Sequence, residues 1–297
     1  RTFCDFSLSR ERRTHLGVTL QTDIQPGAVE RFIPLFAAAA DRVPIDAKFS
    51  IDGERVVVAS LEVLGVRLRQ TESAALLIQM LQTSQRKDLS LELPSDTIAP
   101  TVTAADRERL GLVELIGEGQ TNFKGSPKNR IYNIHRALEQ FDGVLVPPNE
   151  EFSFVKFLGE VDGEHGYLPE LVIKHNKTEP EFGGGICQVS STVFRAAINS
   201  GMKILERRNH AYPVQYYRPY GMDATIYIPK PDFRFLNNTP GFILVKPIVE
   251  GTKLIFRFYG TKDGRSIAID GPHILESNPD GSMKTIFSQT VTDKTGT

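Results

Sequence analysis

Apolar residues recur at helical spacing in four stretches of the chain and alternate at strand spacing in most of the rest. The first helical stretch covers Ala28 to Arg42, with Ile33, Phe36 and Ala37 on one face. Pro26 and Gly27 break the chain before it, and Pro34 is expected to kink or shorten it. The second runs from Thr71 to Gln82 on Ala75, Leu76, Ile78 and Leu81. A third, from Arg130 to Phe141, places Ile131, Ile134, Ala137 and Leu138 together. The fourth begins near Cys187 and ends at Asn199, where Gly201 supplies a stop.

Strand signals lie between and after these helices. Lys48 to Ile51 and Arg55 to Val58 flank the Asp52-Gly53 turn and predict a hairpin. Leu89 to Leu93, Val144 to Val146 and Glu151 to Phe154 read as short strands. Beyond the fourth helix the texture is β-rich: Ala224–Ile228, Phe233–Leu236, Gly241–Pro247 and Lys253–Tyr259, with turns at Asn237–Pro240 and Glu250-Gly251. Glu118 to Lys128, polar and glycine-bearing, reads as a connector. After Gly271 the pattern weakens, which suits either a strand pair or a partly disordered tail. The class is α+β. Residues 1–112 form an amino-terminal region holding a small α+β domain over about 45–112; a mixed α+β domain follows over 113–260, and 261–297 is an extension.

Composition narrows the options. A length of 297 residues suits about two domains. With 40% hydrophobic and 24% charged residues the chain can bury a real core. The formal charge of −1 argues against a nucleic-acid footprint or a polybasic membrane surface. Arg207 and Arg208 therefore read as a solvated face. Cys4 and Cys187 make no disulfide framework, and the six histidines show no metal-ligand spacing, so neither metal nor cofactor is expected. The longest apolar stretch, Phe32 to Ala40, falls far short of the ~20 residues of a membrane-spanning helix. The chain begins at Arg1 rather than Met, so the lack of a visible targeting segment carries little weight.

The chemistry concentrates in Phe182 to Thr192, FGGGICQVSST. Three glycines set the Cys187 thiol at a helix start, where backbone N–H groups favour a thiolate. Gly183, Gly184 and Gly185 also allow close backbone approach. A buried, inert cysteine beside a tight turn is the bland alternative; the polar Gln188, Ser190, Ser191 and Thr192 weigh against it. A cysteine nucleophile needs a base and a group to orient that base. His210, after Arg207-Arg208-Asn209, is the candidate base, and Asp223 the candidate orienter. The N–H groups of Cys187 and Gln188 are expected to serve as oxyanion donors, with the Gln188 side chain adding a third. His135, His165 and His175 are weaker candidates.

These residues resemble the VanW family, named from glycopeptide-resistance gene clusters. The resemblance rests on Gly183 to Thr192, Arg207 to His210, Asp223-Ala224-Thr225 and Asp232 to Asn238. Upstream, Arg130, Asn133-Ile134 and Glu151 to Phe154 also look like that family. It covers about residues 113 to 250, and residues 45 to 112 are similar to the peptidoglycan-binding domain that often precedes it. Pro148-Asn149 departs from a frequent Pro-Gly. Met222 stands where arginine or leucine is frequent, which would remove a substrate-contacting cation if arginine serves that purpose.

The resemblance implies extracytoplasmic work in the cell envelope, with a membrane anchor outside this chain. Some relatives are L,D-transpeptidases that cross-link peptidoglycan stem peptides through a cysteine acyl-enzyme. Carried over, Cys187, His210 and Asp223 would be catalytic. Gly183, Gly184, Gly185, Gln188, Ser190, Ser191, Arg130 and Asn209 would contact substrate. Two alternatives stand beside this: a non-catalytic wall-binding or scaffold protein, and a cysteine peptidase or amidase on another envelope substrate. Oligomeric state is not legible.

Overall fold

The computed structural model describes residues 2–5, 19–22, 26–52, 55–83, 90–174 and 177–293. In chain order the elements are β1 (Thr2–Asp5), β2 (Thr19–Thr22), α1 (Pro26–Ala40), β3 (Lys48–Asp52), β4 (Arg55–Ser60), β5 (Gly65–Leu68), α2 (Gln70–Thr83) and β6 (Ser95–Ile98). Then follow β7 (Glu114–Asn122), α3 (Lys128–Leu138), β8 (Val144–Val146), β9 (Glu151–Ser153), α4 (Phe154–Leu158), β10 (Pro169–Lys174), β11 (Lys177–Phe182) and α5 (Ile186–Asn199). The chain closes with β12 (Lys203–Glu206), β13 (Arg234–Leu236), β14 (Ile243–Glu250), β15 (Lys253–Gly260), β16 (Ser266–Ser277) and β17 (Met283–Thr292). The class is mixed α+β with antiparallel pairing throughout. Two compact units emerge: residues 1–47 with 61–103, and residues 48–60 with 104–297.

In the first unit, α1 runs on through Pro34 without a break. Its buried face is Val29, Ile33 and Ala37, one residue per turn, and Phe36 turns outward. Helix α2 meets it through Ala74, Leu77 and Ile78, so the expected face on Ala75 and Leu76 is rotated by about a residue. No strand forms over 90–94; Leu89 lies outside the described residues. Arg69 N–H donates to Pro94 O at 2.9 Å, and the ladder with β5 starts only after that proline, at β6.

The second unit holds the β3–β4 hairpin, a four-stranded sheet in the order β7-β15-β14-β8, and a three-stranded sheet in the order β12-β13-β9. Between them runs a phenylalanine-rich core. Phe141 stacks on Phe154 with centroids 4.5 Å apart, and Phe152 on Phe235 at 4.7 Å.

Helix α5 sits in that core, with eleven of its residues buried. Of the segment expected to be a connector, Glu118 to Lys128, the first part to Asn122 instead belongs to β7. Its glycines are there for proximity: a Cβ at Gly119 would lie 2.2 Å from the Ala196 N, and one at Gly117 would lie 2.1 Å from Ser200 Oγ. Strand and helix backbones touch because no side chain separates them. Ala224–Ile228, expected as a strand, forms no ladder. Its groups pair elsewhere: Ala224 N–H donates to Ser191 Oγ (3.1 Å), Ser190 Oγ donates to Ala224 O (2.6 Å), and Thr225 N–H donates to Arg208 O (2.7 Å). Helix side chains take the place of a neighbouring strand. The weakly patterned tail is the long hairpin β16–β17. Among the described residues, no helix is long and apolar enough to cross a membrane.

Candidate functional site

The glycine run explains where the thiol stands. Gly183 and Gly185 have φ of 81° and 113°, values that favour glycine. A Cβ at Gly185 would lie 2.9 Å from the Arg130 O, and one at Gly184 would lie 2.8 Å from Glu170 Cβ. The run thus packs the start of α5 directly on α3 and β10. The far end closes on Gly201, with Met202 N–H donating to Ala197 O at 3.0 Å.

Cys187 is partly buried on the first turn of α5. Its sulfur lies 3.8 Å from Thr225 Oγ1 and 3.7 Å from Ile226 O. The His210 imidazole lies near enough to act on that sulfur electrostatically. The other face of that ring meets Asp223: Nδ1 to Oδ2 is 2.5 Å, and the His210 backbone N–H donates to the same oxygen at 2.9 Å. Cys187, His210 and Asp223 are therefore one connected group.

The electrostatics follow from those contacts. Burial alone would push the Cys187 thiol up, but the hydrogen bond and charge of His210 outweigh it and hold the thiol below its ordinary value. Burial would lower His210, yet Asp223 and the cysteine raise it to about 9. Burial likewise opposes ionisation of Asp223, and the bonds from His210 and the Arg207 charge reverse that, leaving it lowered. All three shifts favour thiolate, imidazolium and carboxylate together at neutral pH.

Two arginines build the floor beneath. Arg207, expected as a solvated face, is largely covered: it lies over the Phe194 ring at 5.0 Å and donates to Asp223 O at 2.8 Å and to Gly221 O. Arg208 is the exposed one. Arg195 donates to Met222 O (2.8 Å), Gln120 O (2.8 Å) and Tyr217 O (2.5 Å), and its burial lowers it to about 10. Sequence reasoning missed both clamps, because an arginine that binds carbonyls leaves no motif. Tyr217 was missed too. Its ring centre is 5.0 Å from that of His210, and burial, with the nearby thiolate, raises its phenol.

The remaining candidates divide. Gln188 is fully buried, accepting from Arg130 at 2.8 Å and donating to Thr121 at 2.7 Å. Ser190 and Ser191 are fully buried on Ala224. Asn209 donates to His210 O at 2.8 Å. Gln188 N–H donates to Gly185 O at 2.9 Å, so it is not the free oxyanion donor expected. Cys187 N–H, by contrast, has no acceptor among the described residues. His135 is exposed, His165 is exposed and paired with Asp162, and His175 lies outside the described residues. Among the described residues there is no group of three His, Cys, Asp or Glu side chains able to hold a metal.

A family profile described as VanW like protein matches residues 129–259. The chain is similar to the uncharacterized protein YoaR of Bacillus subtilis (strain 168), 36% identical over 173 residues that make up 58% of this chain and 56% of that protein. It is also similar to the vancomycin B-type resistance protein VanW of Enterococcus faecalis (strain ATCC 700802 / V583), 25% identical over 145 residues, 47% of this chain and 52% of that one. The chain spans about half the length of the curated relatives it matches. No solved structure matches it at a significant level.

Proposed function

Because the chain belongs to the VanW family through residues 129–259, we propose that it is a cell-wall-associated cysteine acyltransferase acting on peptidoglycan stem peptides outside the cytoplasmic membrane. Similarity to a vancomycin B-type resistance protein supports the cell-wall setting. One observation carries the chemistry: a thiol at a helix start joined to a histidine that is itself joined to a buried aspartate.

In this reading the Cys187 thiolate attacks an amide carbonyl carbon of the donor stem. The Cys187 N–H faces the oxygen on which charge develops. Protonated His210 gives its proton to the departing amine, the C–N bond breaks and a thioester remains. An acceptor amine from a second stem then attacks the thioester, losing a proton to His210 as the thiolate leaves. With water in place of the amine the outcome is hydrolysis. Asp223 holds the imidazole by Nδ1 throughout, which directs Nε2 toward sulfur.

Incubation of the protein with a stem tetrapeptide, followed by intact-mass analysis, tests this. The expected result is an adduct equal in mass to the donor less its released terminal amino acid, located on Cys187 and missing from Cys187→Ala. An unmodified protein at all donor concentrations would leave a passive wall-binding component as the surviving reading.

A further inference from the structure

Arg130 is a buried cation with no carboxylate to answer it. It is only 8% exposed, and no acidic side chain lies within ion-pair distance of it among the described residues. Its guanidinium donates to Ser126 Oγ at 2.6 Å and to Gln188 Oε1 at 2.8 Å, and lies 4.0 Å above the Tyr216 ring. All of these partners are neutral. A guanidinium carries five N–H donors, so these oxygens leave part of the fork unused. Burying a charge without a counter-charge is costly, and proteins tolerate it where a ligand supplies the opposite sign.

The place of this cation is equally informative. Gln188, which it holds, is the neighbour of Cys187, and the Tyr217 hydroxyl feels both the Arg130 guanidinium and the Cys187 sulfur. Asp223, the buried carboxylate of the site, is already engaged by His210 and Arg207. An anion arriving at Arg130 would thus meet the residue next in sequence to the thiol, and a planar carboxylate matches a guanidinium fork better than any other common anion of a peptide.

We infer that Arg130, with the Tyr217 hydroxyl, seats the free terminal α-carboxylate of the donor peptide one residue beyond the scissile amide. This rests on the acyl-transfer reading for the position of the scissile bond. It makes Arg130 a specificity-determining residue: donors ending in a free carboxylate one residue past the cut are accepted, and amidated or longer donors are disfavoured. The residue that departs carries the charge that held it.

Binding, rather than turnover, isolates the claim. Calorimetric titration of Cys187→Ala protein with a synthetic stem tetrapeptide, as free acid and as carboxamide, should give roughly tenfold or more tighter binding of the acid, the scale of a charge-assisted hydrogen-bonded pair. Adding Arg130→Lys should shrink the preference, and adding Arg130→Met should abolish it, with circular dichroism confirming each fold. Equal binding of acid and amide, absence of binding to either, or an unchanged preference in the folded Met variant would overturn the inference. Discrimination without any thioester in the wild-type protein would instead retain this inference and sink the acyl-transfer reading; a thioester formed equally from both peptides would do the reverse.

Discussion

His210 Nδ1 lies 2.5 Å from Asp223 Oδ2, and the same carboxylate oxygen accepts the His210 backbone N–H at 2.9 Å. A single oxygen thereby fixes both the ring and the chain that carries it. Replacing Asp223 by Asn keeps the shape but removes the charge that raises His210. The alkaline edge of activity should then fall below its wild-type position. The rate of acyl transfer should drop on the order of a thousandfold, read as kcat/KM for a chromogenic or fluorogenic donor. A variant within a few-fold of wild type would show that the carboxylate is only structural.

The two titrating partners set a bell-shaped pH profile. The active form needs the thiolate, whose pKa is held low, and the imidazolium, whose pKa is raised to about 9. A raised histidine keeps its proton below that value and loses it above, so acyl transfer should decline as pH climbs past about 9. On the acid side it should decline only where Cys187 takes up a proton, below the ordinary thiol range. An activity that rises steadily through pH 9, as a simple thiol would give, contradicts the ion pair.

The contact between β7 and α5 predicts a strong size limit. In Gly119→Ala the new methyl would meet the Ala196 N and the Thr192 O, both backbone atoms that cannot swing aside. The strand must move off the helix, at a cost of about 1–3 kcal/mol or more. Thermal unfolding of the variant should show a clear drop in Tm. No change would mean that strand and helix are not pressed together.

Arg195 joins three segments through the carbonyls of Gln120, Tyr217 and Met222. Arg195→Met keeps the length of the side chain and loses every donor. Stability should fall by about 1–3 kcal/mol, the cost of leaving the carbonyls of buried Met222 and Tyr217 unpaired, measurable as a lower midpoint in urea. A midpoint equal to wild type would show that water replaces the arginine at no cost.

Much of this was legible in the sequence for reasons that are local. The α5 segment announces itself because its glycines, its thiol and its stop at Gly201 are adjacent in the chain, and α3 because its apolar residues keep helical period. What failed was information held by a distant partner. Gly119 read as part of a connector, since nothing nearby reveals that a helix presses on it. Ala224–Ile228 has strand-like residues, but its hydrogen bonds go to Ser190, Ser191 and Arg208, groups that no alternation predicts. Polar Ser190 and Ser191 pointed to a site on account of their chemistry, and their bonds hold the segment after Asp223 at Ala224, whereas Gln188 ties Arg130 to Thr121. Arg207 looked like surface charge because its acceptors, Asp223 O and Gly221 O, lie across a turn.

The central claim is an ionised Cys187 held by His210, and alkylation kinetics reach it directly. The rate of iodoacetamide labelling, read at the Cys187 peptide and followed against pH, should hold a plateau well below the free-thiol range in wild type. In His210→Ala, where the main group opposing burial is gone and only Ile226 and Thr225 remain, that plateau should be lost and labelling should rise only at alkaline pH. A wild-type titration at or above the ordinary thiol value, superimposable on that of His210→Ala, would contradict the account.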